Sequence, residues 1–85
     1  MTKEQTLPKW FNGQLYKKGD TVQNRFSGET IELNAMELSM YDFVMGATHM
    51  SEMGIFNTPH HIKQLRLGLD WFRKNNATAY MVLLD

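Results

Sequence analysis

The run Asn34-Ala35-Met36-Glu37-Leu38-Ser39-Met40-Tyr41-Asp42-Phe43-Val44-Met45-Gly46-Ala47-Thr48-His49-Met50-Ser51-Glu52-Met53 begins in the way helices begin. Asn34 is a favoured N-cap residue, and Glu37 follows it at the spacing of a capping box. A turn of about 100° per residue places Leu38, Tyr41 and Met45 on one arc, with Thr48 at its edge. Met36, Met40, Phe43, Val44 and Ala47 fill much of the opposite side. The remaining wedge holds Ser39, Asp42, Gly46 and His49 and reads as a solvent face, with Gly46 allowing a neighbouring element to come close. A helix that is apolar over most of its circumference is normally enclosed by other layers. It is therefore the expected centre of a small domain.

Upstream, Thr21-Val22-Gln23-Asn24 and Glu29-Thr30-Ile31-Glu32-Leu33 alternate apolar and polar side chains around Arg25-Phe26-Ser27-Gly28. This predicts a β-hairpin with a four-residue loop, Gly28 supplying a positive φ and Val22, Ile31 and Leu33 facing the helix. Phe26, at the loop tip, either folds back over the hairpin or stands exposed for contact. Residues 1–6 are polar and expected to be flexible. Leu7-Pro8-Lys9-Trp10-Phe11 then brings two aromatics that read as an anchor on the core, followed by turns at Asn12-Gly13 and Lys17-Lys18-Gly19-Asp20.

Downstream, Gly54 ends the central helix, and Ile55-Phe56-Asn57 forms a short connection. Thr58-Pro59 starts a second helix, expected to run to about Lys74. Ile62, Leu65, Leu69 and Phe72 make its core stripe. Arg66 with Asp70, and Asp70 with Lys74, are available as i,i+4 pairs. Leu67 and Trp71 lie roughly opposite that stripe. Either the C-terminal segment covers them, or they form an exposed patch for another chain. The apolar stretch Ala77–Leu84 suits a short helix capped by Asn76 or a third strand, and the helix is favoured. The fold class is thus α+β: an N-terminal β-hairpin on two main helices, closed by an apolar C-terminal segment, in one domain over residues 7–85.

The composition narrows the function classes. In 85 residues, nine Lys+Arg balance nine Asp+Glu, so the basic excess typical of nonspecific nucleic-acid binders is missing. Lys17, Lys18 and Arg25 cluster near the hairpin, but Asp20 and Glu29 dilute their field. There is no cysteine, which excludes disulfides, thiol catalysis and Cys-ligated zinc. No apolar run nears the roughly 20 residues that span a bilayer, and the first residues lack the apolar centre of a signal peptide. A soluble intracellular protein is the expectation.

Candidate chemistry is sparse. His49, His60 and His61 have no paired-ligand spacing, and adjacent histidines on a helix point about 100° apart, so no metal site is expected. Ser39, Asp42 and His49 contain the residue types of a nucleophilic triad. However, two helical turns separate Asp42 from His49, roughly 10 Å along the axis, and no glycine-rich oxyanion loop accompanies them. No catalytic residue and no cofactor follow from this. The concentration of methionines (Met36, Met40, Met45, Met50 and Met53) suits an irregular core or an adaptable binding surface, with the core favoured.

Several strings taken together resemble small uncharacterised proteins of marine bacteriophages, including cyanobacterial phages. They are Trp10-Phe11-Asn12-Gly13, the hairpin motif from Val22 to Gly28, Glu32-Leu33-Asn34-Ala35 running on to Phe43, and Gly68-Leu69-Asp70-Trp71-Phe72-Arg73 with the segment that follows. The resemblance implies a phage product acting in the cytoplasm of an infected bacterial cell or in a virion, and it transfers no functional residue. The expected function is a non-enzymatic protein-interaction module, an accessory protein that binds a host or phage protein or itself. The candidate partner surface comprises Leu67, Trp71, Phe26, Met50 and Met53. The alternatives are a minor virion component or a small metal- or nucleic-acid-binding protein.

Overall fold

The computed structural model describes residues 5–11, 13–54 and 58–84; the expected turn residue Asn12 and the connection Ile55–Asn57 lie outside them. The chain is α+β. A two-stranded antiparallel hairpin is followed by two main helices and a short helical C-terminal segment.

Strand β1 (Asp20–Gln23) pairs with β2 (Thr30–Leu33) in the register Asp20↔Leu33, Val22↔Ile31. Opposed residues share a face, so Val22, Ile31 and Leu33 all point to the core. The loop is closed by Asn24, whose N–H donates to the Glu29 carbonyl at 2.8 Å while its own carbonyl accepts from Gly28 N at 2.8 Å. The Asn24 Oδ1 atom accepts from the N–H groups of Phe26 and Ser27. Gly28 takes φ 80°, the left-handed conformation that strongly favours glycine.

Helix α1 (Ala35–Glu52) carries the full capping box: Asn34 accepts from Glu37 N, and Glu37 Oε1 accepts from Asn34 N. Such caps contribute about 1 kcal/mol. Beyond the C-cap Met53, Gly54 (φ 79°) turns the chain away. The polar wedge is not a uniform solvent face. Ser39 is 1 % exposed, donating to the Ala35 carbonyl and accepting from Tyr16 N at 2.9 Å. A hydroxyl can turn inward here because the crossing N-terminal segment supplies a donor. Gly46 has open space where a Cβ would project, so no element packs closely there.

Helix α2 (Pro59–Asn75) starts as expected, with Thr58 as N-cap and Pro59 in the first turn. Its buried arc differs from the expected stripe. Gly68, Trp71 and Phe72 are buried, whereas Ile62 is 42 % exposed. The missing side chain of Gly68 explains the roll: a Cβ there would sit 2.8 Å from Val44 Cγ2 and 3.4 Å from Met40 Sδ. α1 approaches at that point, and the flanking Trp71 and Phe72 follow inward. Asp70 pairs with Arg73 rather than with Arg66 or Lys74, and the Arg73 guanidinium lies 5.5 Å from the Tyr80 ring centroid.

Asn76 ends α2 and also caps α3 (Ala77–Ala79), its side chain accepting from Ala79 N. The segment then widens into a π-helical turn over Tyr80–Leu84. The C-terminal alternative is thereby resolved as helical, with Ala79 fully buried. Asn24 Nδ2 donates to the Val82 carbonyl at 2.7 Å and ties the hairpin to this segment.

The N-terminal segment completes the core. Trp10 and Phe11 each stack, tilted, on Phe43 at 5.6 Å between ring centroids. Gln5 and Thr6, expected to be flexible, are held. The Gln5 amide bonds Glu37 Oε2, the Asn75 carbonyl and Asn34 Nδ2, and the Thr6 carbonyl accepts from Trp71 Nε1 at 2.9 Å.

Candidate functional site

Of the five residues expected to form a partner surface, four are exposed and Trp71 is buried. Trp71 leaves the set, because it is 8 % exposed and sits in the core cluster with Leu33, Met40, Val44, Phe72 and Ala79. An indole offers most of its surface to burial once its N–H has a partner, and the Thr6 carbonyl is that partner. Leu67 stays at the surface, 36 % exposed. Phe26 stands wholly in solvent at the hairpin tip. Met50 and Met53 are exposed near the C-terminal end of α1. The methionine run as a whole reads differently from expected: Met40 is fully buried, and Met36, Met45, Met50 and Met53 are exposed.

The concave feature that emerges is a groove of about 320 Å³ between α1 and α2. Phe43, Ala47 and Met50 line it from α1, and Ile62 and Leu65 from α2. Gly46 opens one wall, since nothing lies within 4 Å of its absent Cβ. The sequence carried a partial signal for this site. Small residues at 46 and 47 lie one turn before Met50, but the roll of α2 that brings Ile62 and Leu65 to the rim depends on contacts at Gly68.

Polar groups at the groove are Asp42, Ser51, His61 and Gln64. The Tyr16 hydroxyl feels Asp42: loss of surrounding water holds it above its ordinary value of 10.0, and the charge and hydrogen-bonding influence of Asp42 add to that rise. His61 Nδ1 lies 2.6 Å from Thr58 Oγ1, so the imidazole is engaged with the residue that caps α2. Serine, histidine and aspartate thus line one groove, in a combination other than Ser39/Asp42/His49. The ring nitrogen that a carboxylate would orient in nucleophilic catalysis here faces a hydroxyl instead. Among the described residues, no three His, Asp or Glu side chains come together to hold a metal ion. No helix among them is long and apolar enough to cross a membrane.

The groove has the chemistry of a binding surface. It offers an apolar trough, soft methionine at one end and a carboxylate on the wall. No family model matches the chain, and no curated protein or solved structure matches it either.

Proposed function

We propose that this chain is a non-enzymatic protein-interaction module, and that the α1/α2 groove is its docking surface. The observation that carries the reading is the groove itself, which leaves Met50 and Ile62 each 42 % exposed beside Phe43 and Leu65. A small domain with spare apolar area usually encloses such side chains, and their alignment along one trough suits a protruding apolar side chain or helix from a partner. The flexible thioether of Met50 adapts to the shape of what binds. The resemblance to marine-phage proteins supplies a setting, an accessory protein of an infected bacterial cell; a virion component follows if the association is with itself.

The test is a Met50→Lys variant, which places an ammonium in the trough without disturbing a buried contact. Proteins captured by the wild type, or its self-association, are expected to be lost with Met50→Lys and kept with Met36→Lys, outside the groove. Association that is indifferent to Met50→Lys overturns the reading.

A further inference from the structure

The hairpin tip is an exposed apolar projection, and the groove between α1 and α2 is an apolar recess. Phe26 is 102 % exposed, yet its loop is fixed: Asn24 Oδ1 holds the N–H groups of Phe26 and Ser27, and Asn24 Nδ2 holds the Val82 carbonyl. An aromatic ring presented on an ordered loop loses little conformational freedom on docking. The groove has room for such a ring, and its apolar walls are Phe43, Ala47, Met50 and Leu65. Charge also matches, since exposed Arg25 precedes Phe26 and exposed Asp42 stands on the groove wall. Phe26 makes no use of the groove in its own chain, because its side chain is in solvent.

We propose that the occupant of the groove is the hairpin tip of a second copy of this chain, Phe26 entering between α1 and α2 and Arg25 pairing with Asp42. This rests on the groove reading above and names its partner. The contact is heterologous, tip into groove, so a pair joined by it keeps one free tip and one free groove and assembly continues to rings or short filaments. A single loop tip buries less than the roughly 800 Å² per partner of a standard interface, so the association is weak and concentration-dependent.

The experiment is light scattering from about 10 µM to about 1 mM, a range suited to an undersized interface. The weight-average mass of the wild type is expected to climb past the dimer. Phe26→Asp and Met50→Lys are each expected to stay monomeric with unchanged circular dichroism. An equimolar mixture of the two forms a heterodimer and stops there, because one partner lacks the tip and the other the groove. A wild type that stays monomeric throughout, or a Phe26→Asp variant that assembles like it, overturns the proposal. An amide-shift titration of Phe26→Asp with N-acetylphenylalaninamide separates the two readings. Shifts at Ala47 and Leu65 in a protein whose wild type is monomeric overturn self-docking but leave the groove as a docking surface. No shifts in that case overturn both.

Discussion

Glu37 is where several parts of the chain meet. One carboxylate oxygen accepts from Asn34 N at 3.0 Å; the other accepts from Gln5 Nε2 at 2.8 Å and from Asn76 Nδ2 at 3.1 Å. These donors belong to the N-terminal segment, the junction between β2 and α1, and the junction between α2 and α3. The side chain is 6 % exposed, and hydrogen bonds to a buried charge contribute more than neutral ones. Glu37→Gln puts an amide N–H against one of these donors, and a loss of about 2 kcal/mol is expected from urea denaturation. Gln5→Ala keeps the capping box and is expected to cost about 1 kcal/mol. Tyrosine titration offers a second check at this scale. Tyr16 is raised by desolvation with help from Asp42, and Tyr41 is raised by burial against an opposing effect of Arg25. The sign follows from linkage: a folded-state pKa above the unfolded value stabilises the fold at pH values below the unfolded one, and this is lost as pH rises through the folded value. Asp42→Asn should return Tyr16 part of the way toward 10.0, desolvation remaining, as read from ultraviolet tyrosinate absorbance.

At the scale of elements, the two glycines inside helices separate propensity from packing. Gly68 sits where α1 crosses α2, and an added methyl would meet Val44 Cγ2 at 2.8 Å; Val44 is itself 1 % exposed and has no room to yield. Overpacking of this kind costs about 1–3 kcal/mol, more than the roughly 1 kcal/mol that alanine gains in helix propensity. Gly68→Ala is therefore expected to lower the thermal midpoint. Gly46 meets nothing within 4 Å, so Gly46→Ala keeps the propensity gain and should stabilise by about 0.5–1 kcal/mol. Opposite signs for the same substitution in neighbouring helices would confirm where the helices touch. If both variants stabilise, the close approach at Gly68 is wrong.

For the whole molecule, the core is small and contributed from every part of the chain. Leu33 comes from the hairpin, Met40 and Val44 from α1, Trp71 and Phe72 from α2, and Ala79 from the C-terminal segment. Phe72 is fully buried, and truncation of such a side chain costs about 3–5 kcal/mol. A domain of this size has roughly 5 kcal/mol of stability, so Phe72→Ala is expected to abolish cooperative unfolding. Removing the chain through Phe11 takes away the Thr6 carbonyl that satisfies Trp71 and both aromatics that stack on Phe43. Near-ultraviolet circular dichroism should then show loss of tertiary order, with helical signal partly kept.

Local chemistry determined much of this fold. The capping box at Asn34 and Glu37, the Thr58-Pro59 start, the Gly28 loop and the alternation of the strands each depend on residues a few positions apart, and all are found in place. The C-terminal segment, suited on paper to helix or strand, is helical; its Asn76 cap lies three residues from its Ala79 donor. Which way the helices face was legible only in part. Both α1 and α2 have apolar residues on more than one side, so their patterns do not define a single inward direction. That direction was set by contacts distant in sequence: the approach of α1 at Gly68, the Thr6 carbonyl on Trp71 and Tyr16 N on Ser39. These turned Trp71 and Ser39 inward and left Ile62 and most of the methionines outside. Where the helices and strands lie follows from caps, turns and periodicity, all of them short-range. Which apolar residues form the core and which line the groove depends on the surface that each helix is offered by the rest of the folded chain.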